Sequence, residues 1–331
     1  MKNSSSEKQA SKTDTSGAGA ADGTVEAAAD NAAILAALSA KPAQLPPKFF
    51  YDHLGSTLFT AICELPEYYP TRTEAAVFAE SGVKMGAMMP PNFQMIDLGA
   101  GDCRKAAGLF DALKPTGYVG VDISGEFLAN AVDTLSREYP SIAMQALVRD
   151  FTQPWTIPND LLASSLLYFY PGSSIGNFTP EDAARFLEML PRSESGSTSL
   201  LIGADLVKPA EILEAAYDDA LGVTGAFNRN ALLVANAQLG TDFNLGQWTH
   251  RAFFNAEQSR IEMHLVANQP CTVSWPGGSC QFNAGESIHT ENSHKFEVDG
   301  VKRMLERAGF KVREQWVDPN HWYSVTLAQA T

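Results

Sequence analysis

The stretch Met95-Ile96-Asp97-Leu98-Gly99-Ala100-Gly101-Asp102-Cys103 constrains the fold more than any other, because a short apolar run carrying an acid breaks into two closely spaced glycines. Such a pattern is a strand entering a glycine turn. Downstream, Gly117-Tyr118-Val119-Gly120-Val121-Asp122 repeats an apolar strand ending in a carboxylate, and the helix-length segment from Arg104 to Leu113 lies between the two. Together they predict a βαβ unit. In such a unit glycines let the backbone approach a bound nucleotide, and an acid at the end of the second strand accepts hydrogen bonds from ribose hydroxyls. Gly99, Gly101 and Asp122 occupy those places.

The glycine pattern alone does not choose the cofactor. A dinucleotide fingerprint wants a third glycine where the helix begins, so that the helix N-terminus can receive a pyrophosphate. Here that place holds Arg104. An acid before the turn and another after the second strand resemble the first two motifs of Rossmann-like S-adenosylmethionine methyltransferases, whose cofactor has no phosphate to cradle. A dehydrogenase, another nucleotide binder, or an ordinary buried strand with a glycine turn stays open at this point.

The chain has 331 residues, enough for one large domain or two ordinary ones, since cores tend to divide beyond about 250 residues. A net charge of -14 argues against binding DNA or RNA, which needs a basic face, and a small-molecule partner is expected instead. The four cysteines, Cys63, Cys103, Cys271 and Cys280, show no CxxC spacing and read as reduced thiols of a cytoplasmic protein, with a Cys271–Cys280 bridge left open. No run of about 18 apolar residues predicts a membrane span. Residues 1–24, rich in Ser, Ala, Gly, Lys and Asp, lack the apolar core of a signal peptide and are expected to be a disordered tail. A monomer is expected.

Alanine-rich sequence from Val25 to Leu38 favours a helix, after which Pro42, Pro46 and Pro47 enforce an extended link. Helices are expected from Thr57 to Glu64 and from Glu74 to Met88, the second capped by Thr71 or Thr73. Ile142 to Val148 reads as a third strand, with Asp150 and Phe151 after it as a pair able to hold an adenine by hydrogen bonding and ring contact. Leu166 to Tyr170 reads as a fourth strand. The glycine-rich loop Pro171 to Phe178 then falls at its carboxyl end, where open α/β sheets bind ligands. Thr179-Pro180 starts a helix, and Ser199 to Ala204 is a fifth strand. Beyond Asp205 the pattern changes, with helices from Pro209 to Leu221 and from Asn228 to Leu239. Short strands at Thr249–Asn255, Ser259–Ala267, Cys271–Trp275 and Ser279–Phe282 suggest an antiparallel meander. A helix from Val298 to Ala308, stopped by Gly309, and strands at Lys311–Asp318 and His321–Leu327 complete about seven strands for the main sheet.

Separated motifs jointly resemble the bacterial L-histidine Nα-methyltransferases of ergothioneine biosynthesis. They are Tyr51-Asp52 with Gly55-Ser56, Glu67-Tyr68-Tyr69-Pro70-Thr71-Arg72-Thr73-Glu74, Gly172-Ser173-Ser174-Ile175-Gly176-Asn177, Tyr217-Asp218-Asp219 with Gly222-Val223-Thr224 and Phe227-Asn228, Ile261-Glu262-Met263-His264-Leu265, and Thr290-Glu291-Asn292-Ser293-His294-Lys295-Phe296. The likeness runs from about residue 49 to the C-terminus. The resemblance implies a seven-stranded Rossmann-like methyltransferase sheet, from residues 71–206 and 296–331. It also implies an α+β substrate-binding domain built from the N-terminal segment and an insertion, residues 25–70 and 207–295. S-adenosyl-L-methionine is the implied cofactor, with Gly99, Gly101, Lys105, Asp122, Asp150 and Phe151 as its contacts. Ala100 and Asp102-Cys103-Arg104 stand where many relatives carry Ser or Thr, but Lys105 keeps the basic place. Tyr51, Asn177 and Tyr217 are implied contacts of the substrate carboxylate and α-amine, Tyr68 another near that amine, and Gly172 belongs to the same loop as Asn177. Glu291 and Ser293 are implied to hold the imidazole, with Met263 lining its pocket.

The residue types suit that chemistry on their own account. Attack on a sulfonium methyl needs mainly a deprotonated amine held in line, and positioning supplies several kcal/mol, so neither a metal nor a covalent nucleophile is required. Oxygens of Asn177, Tyr68 and Tyr51 can accept amine hydrogens while leaving the lone pair aimed at the methyl group. A carboxylate such as Glu291 can accept an imidazole N–H while Ser293 serves the other nitrogen. The reaction implied is trimethylation of the α-amine of histidine to hercynine in three successive transfers. The alternatives are the same chemistry on tryptophan or tyrosine, and a noncatalytic sensor of the cofactor or an amino acid.

Overall fold

The computed structural model describes residues 31–158, 165–194 and 196–331, so the expected tail at 1–24 and the beginning of the helix expected from Val25 lie outside the described residues. Helix occupies residues 31–39. In chain order the strands are β1 (Ala43–Gln44), β2 (Phe93–Leu98), β3 (Gly117–Asp122), β4 (Ala143–Val148), β5 (Ser165–Tyr170), β6 (Thr198–Asp205), β7 (Trp248–Asn255), β8 (Arg260–Ala267), β9 (Cys271–Trp275), β10 (Gly278–Phe282), β11 (Ser287–His294), β12 (Phe310–Val317) and β13 (Tyr323–Ala330).

The expected seven-stranded sheet is present, in the order β12-β13-β6-β5-β2-β3-β4. β2 to β6 are parallel, and β13 lies antiparallel between β6 and β12. β2, β5 and β6 are buried at every residue. That is why they read as continuous apolar runs without alternation: a parallel sheet is covered on both faces. Successive residues feed opposite cores. Ile96, Leu98, Val119 and Tyr168 join one cluster, and Met95, Tyr118, Leu167 and Phe169 join the other. β2 sits between β3 and β5, so strand order reverses there, and the crevice at the carboxyl ends of those strands is the place where this architecture takes a ligand.

A second sheet, of order β1-β11-β8-β7, stands apart from β9 and β10, which form their own two-stranded hairpin. This corrects the expected four-strand meander. β9 and β10 pair only with each other among the described residues, and the strand beside β8 is instead β11. The proline-bounded link contributes β1, parallel to β11. A third core gathers Phe49, Phe50, Phe227, Trp248, Met263 and Ile288, drawing on residues 34–69 and 213–288.

Several helix boundaries differ from expectation for local reasons. The helix expected from Glu74 spans Tyr69–Ala87, because Pro70 falls in its first turn, where no N–H is missed; Thr71 and Thr73 therefore lie inside it and do not cap it. The helix expected from Thr57 spans His53–Cys63, started by Asp52 Oδ1, which accepts the Gly55 N–H at 2.7 Å. The segment from Arg104 to Leu113 is two short turns, Arg104–Ala107 and Phe110–Leu113. The inserted helices are Ala210–Tyr217 and Val223–Leu239, the latter beginning after Gly222 at φ 74°. Cys271 and Cys280 are free thiols, as are Cys63 and Cys103. Among the described residues no helix is long and apolar enough to cross a membrane.

Candidate functional site

At the carboxyl end of β2 the turn adopts left-handed backbone at Gly99 (φ 71°) and Gly101 (φ 53°), which glycine enters without steric cost. Asp122, at the end of β3, holds the turn in place: its Oδ2 accepts the Gly101 N–H at 3.0 Å and its Oδ1 the Ser124 N–H at 2.9 Å. Each carboxylate oxygen keeps a further lone pair. A side chain built at Gly101 would meet nothing within 4 Å, so the turn faces open space. The Phe151 ring flanks this space, 3.7 Å from where a Gly99 Cβ would sit, and packs edge-on against Tyr170. Asp150 is exposed and accepts from the Thr152 N–H at 3.0 Å. Beneath the turn, Asp97 is buried and accepts from the Tyr118 hydroxyl at 2.8 Å; burial pushes its carboxyl up to about 7, against the hydrogen bond.

Beside the turn lies a cleft enclosing about 510 Å³ of atom-free space, counting its open mouth. Tyr51, Tyr68, Gly172, Asn177, Tyr217, Met263, Glu291 and Ser293 all line it, so the structure brings together every residue expected to touch the substrate. They arrive on different elements. Tyr51 follows the 3-10 turn Pro47–Phe50, and Tyr68 immediately precedes the helix Tyr69–Ala87. Gly172 (φ 74°) begins the loop after β5, and Asn177 ends the 3-10 turn Ser174–Asn177. Tyr217 closes the helix Ala210–Tyr217. Met263 on β8 faces Glu291 on β11 across the ladder, and a bulge between His289 and Glu291 re-aims the strand at that point. Edge-on contacts link Tyr51 to Phe59, Phe59 to Tyr68, and Tyr68 to Tyr217, which makes one wall aromatic.

Burial sets the charge states in the cleft. It pushes the Glu291 carboxyl up to about 7, with the Lys295 ammonium pulling the other way. Burial, with the Glu291 charge adding to it, holds the Tyr51 and Tyr68 phenols far above their ordinary range, so both stay neutral.

Sequence reasoning missed two buried acids and two buried cations behind this wall. Lys295 Nζ lies 2.8 Å from Asp205 Oδ2, 2.8 Å from Ser293 Oγ and 3.0 Å from the Tyr217 hydroxyl. Asp205 also binds Lys208 Nζ at 2.5 Å and accepts from the Tyr69 hydroxyl at 2.6 Å. Burial opposes the charge on Asp205, but Lys295 and Lys208 overcome it and hold the carboxyl below its usual range. Glu74, 1% exposed, accepts the Gly172 N–H at 2.7 Å, the Tyr323 hydroxyl at 2.6 Å and Lys105 Nζ at 2.8 Å. Lys105 is thus committed to an ion pair beside Gly172, which lines the cleft. Glu74 stood inside a recognised motif, and only its place at a helix start was read. His294 Nδ1 lies 2.9 Å from the Gly176 carbonyl and so ties β11 to the turn bearing Asn177.

One glycine on the sheet makes the Glu74 arrangement possible. A Cβ at Gly203 would lie 2.3 Å from Glu74 Oε1 and 2.4 Å from the Tyr323 hydroxyl. Gly203→Ala should therefore lower stability by about 1–3 kcal/mol, the cost of overpacking a filled interior, as read from urea midpoints. A midpoint equal to that of the parent would show that Glu74 has room to move.

Glu262, His264 and His289 also meet, on the face of the second sheet away from the cleft. The two imidazoles stack at 4.6 Å with 11° between their planes, so their in-plane lone pairs do not converge on one ion.

A family profile described as histidine-specific methyltransferase, SAM-dependent, matches residues 30–330. The histidine N-alpha-methyltransferase of Mycolicibacterium smegmatis is 39% identical over 314 residues, covering 91% of this chain and 97% of that protein. Its counterpart from Mycobacterium tuberculosis is 37% identical over 302 residues, covering 89% and 93%. Ergothioneine biosynthesis protein 1 of Neurospora crassa is 28% identical over 298 residues, covering 87% of this chain but 33% of that longer protein.

Proposed function

The chain belongs to the histidine-specific, S-adenosylmethionine-dependent methyltransferase family, and from that premise we propose that it trimethylates the α-amine of L-histidine to hercynine, a step of ergothioneine biosynthesis. The observation that carries this reading is the single cleft. It collects Tyr51, Tyr68 and Asn177 for an amine, and Glu291 with Ser293 for a polar ring, beside an open glycine turn.

The residues around the turn fit S-adenosylmethionine. Gly101 borders unfilled space, Asp122 has lone pairs left for ribose hydroxyls, and Phe151 offers a ring edge with Asp150 next to it for an adenine. When bound, this cofactor supplies a methyl group already activated on a sulfonium. The protein then has to position an amine and accept its hydrogens. Neutral phenols at Tyr51 and Tyr68 and the Asn177 amide oxygen can accept amine N–H groups, which leaves the nitrogen lone pair free for in-line attack. Tyr217 lines the same cleft, its hydroxyl taken up by Ser293 and Lys295 behind the wall. At the other end Glu291 accepts an imidazole N–H, and Met263 covers the ring.

We assign cofactor binding to residues 71–206 and 296–331 and substrate covering to 25–70 and 207–295, a division supported by the separate cores. Action as a monomer belongs to the same proposal, as does a cytoplasmic setting, with which the four free thiols are in keeping. The test is to incubate the protein with S-adenosylmethionine and each of the twenty amino acids and to read the products by mass spectrometry. Histidine should gain one, two and three methyl groups. Preferred methylation of tryptophan or tyrosine, or binding without transfer, would overturn the proposal.

Asp122 gives a second test. Asp122→Ala should weaken cofactor binding by about 1.5–3 kcal/mol, the range for hydrogen bonds to a charged group. Titration calorimetry showing undiminished affinity in a folded variant would remove Asp122 from the cofactor site.

A further inference from the structure

The hydrogen-bond inventory behind the cleft wall is closed, and it dictates what the wall can offer. An ammonium has three hydrogens and no acceptor, and all three of those on Lys295 are in use, on Asp205 Oδ2, Ser293 Oγ and the Tyr217 hydroxyl oxygen. Its side chain is 0% exposed, so water does not compete for them. The two hydroxyl oxygens lie 2.8 Å apart, so one donates to the other. A phenol is the more acidic hydroxyl, with a pKa of about 10, and its oxygen is the poorer acceptor because its lone pair is delocalised into the ring. Tyr217 therefore donates and Ser293 accepts. Ser293 Oγ then has both lone pairs filled, by Lys295 and by Tyr217, and keeps one hydrogen that has no partner within this triangle. Both side chains line the cleft.

We infer that Lys295 is a positioning residue for substrate choice: pinned by Asp205, it makes Ser293 a pure donor into the cleft, so the site takes a ring whose nitrogen at that position is bare. This rests on the reading of the cleft as a histidine site. Glu291, lining the same cleft, accepts the N–H of the other nitrogen, and the pair together specifies one neutral tautomer of imidazole. An imidazolium fails on two counts. Its second N–H meets the Ser293 hydrogen, and its charge lies near the Lys295 ammonium. An apolar five-membered ring leaves the Ser293 hydrogen without an acceptor, which is the penalty that lets hydrogen-bonding sites reject isosteres.

The first experiment uses the unaltered protein, saturated with S-adenosylhomocysteine so that no turnover occurs, and histidine labelled with nitrogen-15 in the ring. At a pH of about 6, below the ordinary imidazole pKa near 6.5, free histidine is mostly doubly protonated. Bound histidine should show one N–H and one bare nitrogen by NMR. Two protonated ring nitrogens in the complex would overturn the inference. The second experiment replaces the cation by an isostere of similar length. Lys295→Met should reduce the preference for histidine over 2-thienylalanine, measured as the ratio of kcat/KM values, by about tenfold or more, with the change mostly in KM for histidine. Adding Lys295→Met to a Tyr217→Phe/Ser293→Ala protein should leave the ratio where that double change put it. An unchanged ratio in the single variant, or a further drop in the triple one, would mean that Lys295 does not act through the hydroxyl pair. Affinity for S-adenosylhomocysteine reports folding, and if Lys295→Met does not fold, the NMR result on the unaltered protein decides. Failure to bind or methylate histidine at all would instead strike the functional reading.

Discussion

Asp205→Ala should cost about 3–5 kcal/mol of stability, the range seen when one partner of a buried ion pair is removed. The reason is the company Asp205 keeps. Lys208 and Lys295 have side chains 1% and 0% exposed, and both rely on this one carboxylate for their charge compensation. The Tyr69 hydroxyl loses its acceptor in the same step. Since whole domains are stable by only about 5–15 kcal/mol, the variant should melt many degrees lower or fail to fold. Burial, against the pull of Asp205, lowers Lys208 to about 8, so Lys208 can shed its proton more cheaply than Lys295 can. Asp205→Asn should accordingly lose less than Asp205→Ala, because the amide oxygen still accepts. Asp205→Leu combined with Lys295→Met should recover part of the loss, since apolar groups of similar volume often replace a buried pair without penalty. Denaturation midpoints of the four proteins test the order. A midpoint for Asp205→Ala equal to that of the parent would mean that the two lysines reach other partners.

Glu291→Ala should change which amino acid the protein prefers, beyond slowing it. Removing the acceptor leaves an imidazole N–H unpaired in a buried site, at a cost of about 1–3 kcal/mol, or roughly 5- to 150-fold, appearing mainly in KM for histidine. The same change opens space beside Met263 and removes a buried charge, so activity on tryptophan should rise even if it stays poor. Parallel kcat/KM values for histidine and tryptophan decide the matter, with cofactor affinity as the folding control. An equal fall for both substrates would take imidazole reading away from Glu291. A pH signature accompanies it. Burial puts the Glu291 carboxyl at about 7, so the accepting carboxylate forms as pH rises through that value, and KM for histidine should fall over the same interval. Glu291→Gln, whose carbonyl accepts at any pH, should lack this component and retain only the titration of the substrate.

The main sheet was legible because its strands obey simple rules. Ile96, Leu98, Val119 and Tyr168 are apolar because both faces are covered, and Gly99 and Gly101 mark a sharp break after β2. The residues lining the cleft came from separated motifs, whose convergence depends on pairings that local sequence does not state. β11 was hidden for a physical reason. Its inward positions include Thr290 and Ser293, buried polar residues that interrupt the alternation a strand is recognised by. Lys295 was hidden for another. A lysine beside a serine and a histidine reads as solvated, and only the fold brings Asp205 to within 2.8 Å of it. The helix from Tyr69 began earlier than expected because proline breaks helices except in their first turn.

The Glu74 carboxylate joins the loop bearing Gly172, the Lys105 ammonium that follows the glycine turn, and Tyr323 on β13. On the proposed reading, the place where a methyl group is delivered and the place where an amine receives it are thus referenced to one buried carboxylate. The ring end of the cleft hangs from different supports, β8 and β11, through Met263, Glu291 and Ser293. Under that proposal, evolution or a protein engineer could exchange the side chain being recognised by rewriting those two strands, with the distance over which the methyl group travels left unchanged.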